Sequence, residues 1–383
     1  MKLSQGSKIY VAGHKGLVGS AIWSNLRRRG FTNLVGLSHS ELDLLDGVAV
    51  RNFFDRERPD AVVLAAAFVG GIMANYRYRA DFIYRNLQIQ QNVIGESWRH
   101  GVERLLFLGS TCIYPREATQ PMKEDSLLTS PLEYTNEPYA IAKIAGLKLC
   151  ESLNLQYGTN YIAVMPTNLY GPNDNFHLEN SHVLPAMMRK LHLAKSLRAG
   201  NWASIRHDLS LRPVGWEHNG KKVVVDQNSS KSDIEQCLGG YGISGDCVHL
   251  WGTGRAMREF LWSEDMADAS VHILLNVDFN DTYSDTLNCD NINEIRNCHI
   301  NIGTGKELSI RQLSEKISSC VGFDGTIDWD SSKPDGTLRK LTDVSKLHSL
   351  GWHHKVDIDD GIRMLYDWYL NTPLDIDKQP NSR

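Results

Sequence analysis

The chain has 383 residues, of which 42% are hydrophobic and 22% charged, and its formal net charge at neutral pH is −4. This length and apolar content allow a large buried core and predict two domains or one large α/β unit. The slightly acidic balance excludes a strongly basic nucleic-acid-binding surface, so no nucleic-acid partner is expected.

The seven cysteines are widely spaced, with no Cys-x-x-Cys pair and no His/Cys cluster at the spacing of a zinc site, so no metal is predicted. The first residues lack the pattern of a secretory signal. The longest apolar run, 61–74, is too short and too rich in glycine to span a bilayer. We therefore expect a protein of the reducing cytoplasm without a membrane partner.

The first predicted strand, 8–12, leads into a glycine-rich turn and a helix predicted over 20–29. Gly13, Gly16 and Gly19 have the spacing Gly-x-x-Gly-x-x-Gly, a variant of the dinucleotide fingerprint. Such glycines permit a tight turn and a close approach of the backbone, and a helix N-terminus attracts a pyrophosphate. The strand before and the helix after favour a dinucleotide-binding loop over an ordinary turn.

Apolar strands alternate with helical patterns through the first half of the chain, which is typical of a parallel doubly wound sheet. Further strands are predicted at 33–37, 61–66, 105–109 and 161–165, and helices at 48–58, 81–100 and 139–157. Ligands bind beyond the carboxyl ends of such strands, where Gly13, Ala65, Ser110 and Pro166 fall. The predicted site therefore lies at one edge of one sheet.

The second half of the chain breaks this rhythm. Residues 172–182 predict an irregular loop that opens a different domain, and 184–199 predict a helix. The polar stretch that follows, up to 246, is compatible with a linker, but Trp202 and Trp216 favour a folded insertion. Residues 299–305 then predict a return to the sheet, followed by a helix at 309–320. The predicted fold class is α/β, a Rossmann-type doubly wound parallel sheet with a smaller α+β domain.

Tyr139 and Lys143 lie four residues apart in a predicted helix, which places them on one face. A nearby ammonium favours phenolate, so we expect Lys143 to lower the pKa of Tyr139 and make it a proton donor near neutral pH. Ser110 and Cys112 follow the strand predicted at 105–109, and they add a hydroxyl and a thiol to the same predicted site.

These features resemble the extended short-chain dehydrogenase/reductase superfamily. Longer strings resemble, within it, the family of GDP-L-fucose synthases, and the resemblance covers nearly the whole chain apart from about 196–247. The strings are residues 11–16, 107–115, 136–143, 166–172, 180–183 and 257–261. The resemblance implies an NADPH-dependent enzyme that epimerises GDP-4-keto-6-deoxy-D-mannose at C3 and C5 and reduces it at C4 to GDP-L-fucose.

The resemblance assigns the catalytic roles. Cys112 and His182 would act as acid and base in the epimerisation, because a thiol and an imidazole can be tuned to titrate near neutral pH. Tyr139 would donate the proton in the reduction, Ser110 would hydrogen-bond the developing oxyanion, and Lys143 would bind the nicotinamide ribose.

The resemblance also assigns the binding residues, and no metal ligand is among them. The implied NADP(H)-binding residues are Gly13, His14, Lys15, Gly16, Leu17, Val18, Gly19, Leu37, Ser38, His39, Ala65, Ala66, Leu108, Gly109, Ser110, Lys143, Pro166, Thr167, Asn168, Leu169 and His182. The implied substrate-binding residues are Asn168, Lys190, Trp251, Arg258, Asp335 and Lys340. Asp335 in its Lys-Pro-Asp-Gly context is equally typical of a turn, and the two interpretations are compatible.

The implied domains follow the same division. Residues 1–172 would form the NADP-binding Rossmann domain, with returning segments near 258–275 and 298–308. Residues 173–383 would form mainly the substrate-binding domain, including the insertion at about 196–247. We expect a homodimer, because members of this superfamily dimerise through the helices predicted at 81–100 and 139–157.

Two positions depart from the family pattern. Leu37 stands where these synthases carry an arginine, so one clamp for the NADP 2′-phosphate is missing, although Lys15, Ser38 and His39 can substitute for it. The second strand ends without an acid before Glu41, which disfavours strict NAD selection and predicts a weakened NADPH preference. Phe68 stands where the family commonly has lysine.

Three functions stay open on the sequence. The leading one is the epimerase-reductase that acts on a GDP-4-keto-6-deoxy sugar. The second keeps the fold and changes the reaction or the sugar: a 4-reductase or epimerase-reductase for another GDP-4-keto sugar such as a GDP-keto-heptose, or a 4-epimerase that retains NAD. The third is a non-catalytic dinucleotide sensor, which the retained Tyr139/Lys143 pair disfavours.

Overall fold

The computed structural model describes residues 2–178, 181–218, 221–283, 294–333 and 335–372. Asn180 of the string 180–183, Pro334 beside Asp335, residues 219–220 of the predicted insertion and the tail 373–383 lie outside the described residues. The chain forms two compact units. Unit 1 comprises residues 1–173, 258–307 and 339–357, and unit 2 comprises residues 174–257, 308–338 and 358–383.

The strands, numbered in chain order, are β1 (Ile9–Ala12), β2 (Leu34–Val35), β3 (Ala61–Leu64), β4 (Arg104–Leu108), β5 (Asn160–Pro166), β6 (Asn168–Tyr170), β7 (Val214–His218), β8 (Lys221–Val225), β9 (Cys247–Trp251), β10 (Met257–Trp262), β11 (Ile300–Ile302), β12 (Glu307–Ser309), β13 (Thr326–Asp330) and β14 (Arg339–Lys340). The helices are α1 (Leu17–Arg28), α2 (Gly47–Glu57), α3 (Ile72–Arg77), α4 (Arg79–Arg99), α5 (Glu137–Tyr157), α6 (Val183–Arg198), α7 (Trp202–Leu211), α8 (Lys231–Gly240), α9 (Ser263–Asn276), α10 (Ile310–Val321), α11 (Ser345–Ser349) and α12 (Ile358–Asn371).

Unit 1 is built on a six-stranded sheet of order β11-β5-β4-β3-β1-β2, and every pair in it is parallel. Its inner strands are apolar on both faces because helices cover both. One face packs a core that includes Ile9, Val63 and Ile162 against α1 and α9. The other face packs Tyr10, Val62 and Phe107 against α2, α4 and α5. This doubly wound arrangement confirms the predicted α/β fold class.

Each strand and helix predicted from the alternating first half is present, with ends shifted by a few residues. The strand predicted at 33–37 shortens to β2, and the short helix α3 was not predicted at all. Residues 299–305 supply β11, which pairs with β5 at the edge of the main sheet. Strand β1 lies between β2 and β3. The direction in which successive strands are added to the sheet therefore reverses at β1, and doubly wound folds bind ligands at such a point.

A buried carboxylate, Glu259 in β10, joins separate segments of unit 1. Its side chain accepts hydrogen bonds from the backbone amides of Thr304 at 2.6 Å and Gly305 at 2.7 Å. It also accepts one from the Thr342 hydroxyl at 2.6 Å. Its backbone oxygen accepts a bond from Asn168 Nδ2 at 2.8 Å. Because charge-assisted bonds of this kind are stronger than neutral ones, Glu259 fixes the returning strands beside β5 and β6.

Unit 2 has a helical core with two small ribbons. Helix α6 packs on α7 and α10, and α10 packs on α12. Arg189 and Asp208 form a buried ion pair with Nη2 and Oδ2 2.8 Å apart, and the hydroxyl of Tyr369 donates to the same carboxylate. Strands β7 and β8 form an antiparallel hairpin, while β9 and β13 form a parallel pair. The segment predicted as an insertion therefore contains α7, the hairpin and α8.

None of the described helices combines the length and the apolar composition that crossing a bilayer requires.

Candidate active site

The glycine-rich turn between β1 and α1 brings the backbone close to the end of β3. Gly13 has φ +86°, and a Cβ on it would lie 2.8 Å from the backbone nitrogen of Ala66. A Cβ on Gly19 would lie 2.1 Å from the Gly13 carbonyl oxygen, so neither position tolerates a side chain. Gly16 caps α1, whose first residues are Leu17 and Val18. The turn thus presents free backbone at a helix N-terminus, as a pyrophosphate requires.

The turn after β2 contains an acid, Glu41, which was not predicted as a site residue. Glu41 accepts hydrogen bonds from the Ser38 backbone amide at 2.7 Å and from the Ser38 hydroxyl at 2.5 Å. These bonds lower the pKa of the Glu41 carboxyl, and Lys15 and His14 lower it further. Ser38 is thereby engaged by a carboxylate, and His39 pairs with Asp43 at 3.6 Å. The Ser-x-x-Glu spacing, which resembles a capping box, was the available signal.

The other predicted cofactor residues of unit 1 follow the neighbouring strands. Ala65 and Ala66 come directly after β3, Leu108 and Gly109 close β4, Pro166 ends β5, and Asn168 and Leu169 lie in β6. Thr167 donates its amide to the Ile302 carbonyl at 3.0 Å. The main sheet therefore brings these residues to the same edge as the glycine turn.

Ser110 and Cys112 lie in the turn after β4, where a short 3-10 helix covers Thr111–Ile113. The Ser110 hydroxyl accepts a hydrogen bond from the Cys112 amide at 3.3 Å. Burial raises the pKa of the Cys112 thiol, while the Ser110 hydroxyl, Lys340 and Lys143 oppose that rise. The thiol is therefore protonated at neutral pH, but it lies among groups that stabilise its anion.

Tyr139 and Lys143 lie on one face of α5, but their electrostatics differ from the prediction. Lys143 Nζ donates to the Leu108 carbonyl at 2.7 Å and lies 5.7 Å from the centroid of the Tyr139 ring. Burial lowers the pKa of Lys143 to about 8. Burial raises the pKa of Tyr139, and the nearby Cys112 adds to the rise. The expected lowering of the Tyr139 pKa by Lys143 is wrong here, because desolvation of the phenol outweighs the attraction of an ammonium that faces a carbonyl.

Lys340 brings positive charge to Cys112, and Arg258 in turn acts on Lys340. Both lie on adjacent strands, β14 and β10. Burial lowers the pKa of Lys340, Cys112 opposes that change, and Arg258 adds to it. The sequence predicted both as substrate-binding residues but did not indicate that Lys340 lies close to the thiol, since more than two hundred residues separate Lys340 from Cys112.

The predicted residues of unit 2 lie at two places. His182 is the N-cap of α6. Part of the residue is exposed, but desolvation of the imidazole by the surrounding protein lowers its pKa. Lys190, further along α6, donates from Nζ to the Tyr241 carbonyl at 2.8 Å. Trp251 ends β9 with 52% of its surface exposed. Asp335 accepts hydrogen bonds from the amide and the hydroxyl of Thr253, both at 2.7 Å, which fixes it beside Trp251.

Comparison with known proteins gives one consistent result. Residues 9–207 match the family described as NAD dependent epimerase/dehydratase. GDP-L-fucose synthase 1 of Arabidopsis thaliana is 49% identical over 96% of this chain and 94% of its own length. GDP-L-fucose synthase of Escherichia coli is 46% identical over 95% of this chain and 96% of its own. A GDP-mannoheptose C4 reductase from Campylobacter jejuni, solved with NADP bound, is 42% identical, with a TM-score of 0.82 over 96% of this chain and 99% of that one.

The proximity of Lys340 to Cys112 predicts the effect of removing its charge. Because the Lys340 ammonium lowers the pKa of the thiol, Lys340→Met raises that pKa, and the midpoint of the pH profile for alkylation of Cys112 moves to higher pH. At pH 8 we expect alkylation by iodoacetamide to slow several-fold, measured by mass spectrometry of the peptide that contains Cys112. Lys340→Arg keeps the charge and serves as the control. An unchanged pH profile in Lys340→Met would show that the charge does not reach the thiol.

Proposed function

Because this chain belongs to the NAD dependent epimerase/dehydratase family, we propose that it converts GDP-4-keto-6-deoxy-D-mannose into GDP-L-fucose by epimerisation at C3 and C5 and NADPH-dependent reduction at C4. The observation that carries the proposal is the Cys112 thiol beside Ser110, Tyr139 and Lys143 at the carboxyl edge of the main sheet. A hydride-transferring site needs the last three, and a thiol adds an acid–base group that a simple reductase does not require. The identity with two GDP-L-fucose synthases supports the choice of substrate.

The proposed epimerisation uses the acidity that a 4-keto group confers on the hydrogens at C3 and C5. Removal of either proton gives an enolate, and return of a proton to the opposite face inverts the carbon. We assign these transfers to Cys112 and His182. Burial keeps the Cys112 thiol protonated, and the lowered pKa of His182 keeps its imidazole neutral at pH 7. One group then holds a proton and the other is ready to accept one, as inversion requires.

The proposed reduction relies on Tyr139 to protonate the C4 oxygen. The raised pKa of Tyr139 keeps the phenol protonated at neutral pH, so it is in the form that donates. Ser110 would hydrogen-bond the same oxygen as negative charge develops on it. Lys143, whose pKa burial lowers to about 8, would hold the nicotinamide ribose and supply positive charge beside the phenol.

The residues of unit 1 fit a nicotinamide dinucleotide. The fit rests on the glycine turn, where a Cβ on Gly13 or Gly19 would strike backbone atoms, so the turn leaves main-chain amides accessible for a pyrophosphate. When bound, the cofactor would supply the hydride for C4. We propose NADPH as the preferred form, with Lys15, Ser38 and His39 beside the 2′-phosphate.

The Glu41 carboxylate opposes that preference, because it occupies the Ser38 amide and hydroxyl and would repel a 2′-phosphate. Glu41→Gln should therefore raise the ratio of kcat/KM for NADPH to that for NADH several-fold, because it removes a negative charge beside the proposed 2′-phosphate position. Asp55→Asn, which removes an exposed carboxylate of α2 that pairs with Arg58 and not with Ser38 or His39, is the control. Steady-state kinetics with both cofactors measure the effect. The assignment would be contradicted if the wild type had equal kcat/KM for NADH and NADPH and if Glu41→Gln did not raise the ratio of kcat/KM for NADPH to that for NADH.

We propose sugar-nucleotide-binding residues in each unit by itself. Arg258 and Lys340 in unit 1 supply the positive charge that a diphosphate requires. Asn168 in the neighbouring strand β6 lies opposite Phe260 and donates to the backbone oxygen of Glu259, the residue after Arg258. In unit 2, Trp251 offers an exposed aromatic face, and Asp335 and Lys190 complete the proposed set.

A second substrate, a GDP-keto-heptose, is favoured by a specific observation. Phe68, which replaces the lysine of the fucose synthases, packs on Phe82 with ring centroids 4.9 Å apart, and Phe82 packs edge-on against Tyr139 at 6.2 Å. The substitution therefore lies one ring away from the proposed proton donor. The Campylobacter jejuni relative acts, by its description, on a GDP-mannoheptose.

Incubation of the wild-type protein with GDP-4-keto-6-deoxy-D-mannose and NADPH tests the function. We expect mass spectrometry and NMR to show GDP-L-fucose, formed in step with NADPH oxidation and carrying deuterium at C3 and C5 when the reaction runs in heavy water. Reduction without deuterium at these carbons would indicate a 4-reductase. Turnover of a GDP-4-keto-heptose alone would favour the second substrate. Binding of the cofactor without turnover of either sugar would indicate a dinucleotide sensor.

We propose a homodimer formed by the outer face of α4 and α5. Tyr84 and Ile141 are exposed on these two helices, and Trp98 contacts Tyr157 across them, with ring centroids 4.8 Å apart and the ring planes tilted by 37°. Light scattering should give twice the mass of one chain. Tyr84→Glu, which places a charge on this face, should shift the protein toward the monomer, whereas Tyr283→Glu, in unit 1 but outside these helices, should not. A monomeric wild type would contradict the dimer.

We also propose the reducing cytoplasm as the working compartment, because Cys112 must stay a free thiol for its proposed role. The ratio of oxidised to reduced Cys112, measured by differential alkylation after rapid quenching of cells, should be low.

A further inference from the structure

Three side chains able to bind a metal meet on one face of the β9–β13 ribbon in unit 2. Cys247 and His249 are two residues apart in β9, so they point to the same face of the strand. The parallel register places Asp328 of β13 directly beside His249. This cluster could not be predicted from the sequence, because Asp328 lies about eighty residues from the other two.

The three side chains lie close enough to share one metal ion. Cys247 Sγ lies 3.3 Å from Asp328 Oδ2, and the His249 imidazole approaches both, with Nε2 3.8 Å from the sulfur and Nδ1 3.9 Å from the oxygen. An imidazole offers one of its two nitrogens to a metal, so rotation of the ring selects which nitrogen binds. One ligand atom from each residue lies within 4.8 Å of the others. Zinc bonds of about 2.0–2.3 Å at tetrahedral angles separate adjacent ligand atoms by about 3.3–3.6 Å. Small rotations of exposed side chains would close the remaining difference.

The three side chains are also chemically available. Within the described part of the chain, the side chains of Cys247, His249 and Asp328 form their hydrogen bonds and ion pairs with one another. Neighbouring carboxylates are already engaged: Asp330 accepts two bonds from Ser332, and Asp246 and Asp324 each pair with Arg198 at 3.0 Å. The cluster is therefore distinct from the ordinary ion pairs around it.

We propose that Cys247, His249 and Asp328 form a site for a divalent zinc-like cation, with water as the fourth ligand. A thiolate and a carboxylate together neutralise a dication, and a thiolate with an imidazole selects Zn²⁺ over the hard cations Mg²⁺ and Ca²⁺. The site lies outside the residues assigned to catalysis, and it does not depend on the proposed reaction.

The position of the site gives it a structural consequence. Strand β13 pairs with β9 alone in this two-stranded ribbon, so a bound cation would cross-link the two strands at a second point besides their backbone hydrogen bonds. Both strands lead to proposed substrate contacts: β9 ends at Trp251, and the segment after β13 carries Asp335, which bonds to Thr253. The cation would thus stiffen the segment that presents Trp251.

Equilibrium dialysis against Zn²⁺, with metal analysis of the retained protein, tests the site, and Co²⁺ serves as a spectroscopic probe. We expect one Zn²⁺ per chain and a thiolate-to-cobalt charge-transfer band. Cys247→Ser and Asp328→Asn should each weaken Zn²⁺ binding at least about tenfold. Cys320→Ser, which removes another partly exposed cysteine of unit 2, should leave binding unchanged. Hydrogen exchange in 247–253 and 326–333 should slow on adding Zn²⁺ to the wild type but not to Asp328→Asn.

Three results would overturn the proposal. The first is the same Zn²⁺ uptake in Cys247→Ser as in the wild type. The second is unchanged affinity in Asp328→Asn, which would mean that the exposed thiol alone captures the metal. The third is uptake that disappears in Cys112→Ser rather than in Cys247→Ser, which would place the metal on the proposed catalytic thiol.

Discussion

The carboxylate of Glu259 is the constraint on which unit 1 depends. This unit is assembled from three separate stretches of chain, and Glu259 lies where they meet. One carboxylate oxygen binds the turn after β11, the other binds Thr342 just beyond β14, and the backbone oxygen binds Asn168 in β6. A buried carboxylate without these donors would carry a desolvation cost of several kcal/mol. The contacts therefore specify one arrangement of the returning strands.

That arrangement decides the electrostatics of the proposed site. Arg258 precedes Glu259 in β10, and Lys340 lies two residues before Thr342, so the same carboxylate that joins the strands also fixes Lys340 near Cys112 and Arg258 near Lys340. Around them, burial shifts each titratable group toward its neutral form: the pKa values of Cys112 and Tyr139 rise, and those of Lys143 and Lys340 fall. Proton transfer at such a site costs less reorganisation, because the groups begin uncharged and charges of opposite sign lie nearby.

Much of unit 1 was predictable from the sequence because its signals are local. Apolar runs of four to six residues bounded by turns gave the strands of the main sheet, and the glycine spacing after β1 located the turn that approaches Ala66. Cys112, Tyr139 and Lys143 were found because short strings around them are specific. What the sequence could not give were contacts between distant segments, such as Lys340 with Cys112, Glu259 with Thr342, or Asp328 with Cys247.

The direction of the Tyr139 pKa shift and the position of the Glu41 carboxylate also could not be predicted from the sequence. The spacing of Tyr139 and Lys143 put them on one helix face, but it could not show that Lys143 Nζ would turn to the Leu108 carbonyl and leave desolvation to dominate the pKa of the phenol. Similarly, Glu41 lies past the end of β2 in the sequence, yet the turn at Ser38 folds its carboxylate back to the strand end. Both cases depend on side-chain direction and burial, which a linear pattern does not contain.

We propose that the acid–base role of Cys112 separates this enzyme from a simple reductase. Isotope exchange at C3 and C5 in Cys112→Ser measures that role directly. In heavy water, with GDP-4-keto-6-deoxy-D-mannose and NADPH, we predict that the variant loses deuterium incorporation at C3 and C5 and still oxidises NADPH to give an unepimerised alcohol. Cys320→Ser should behave as the wild type. If Cys112→Ser incorporated deuterium at both carbons at the wild-type rate, Cys112 would not be the acid–base group of the epimerisation.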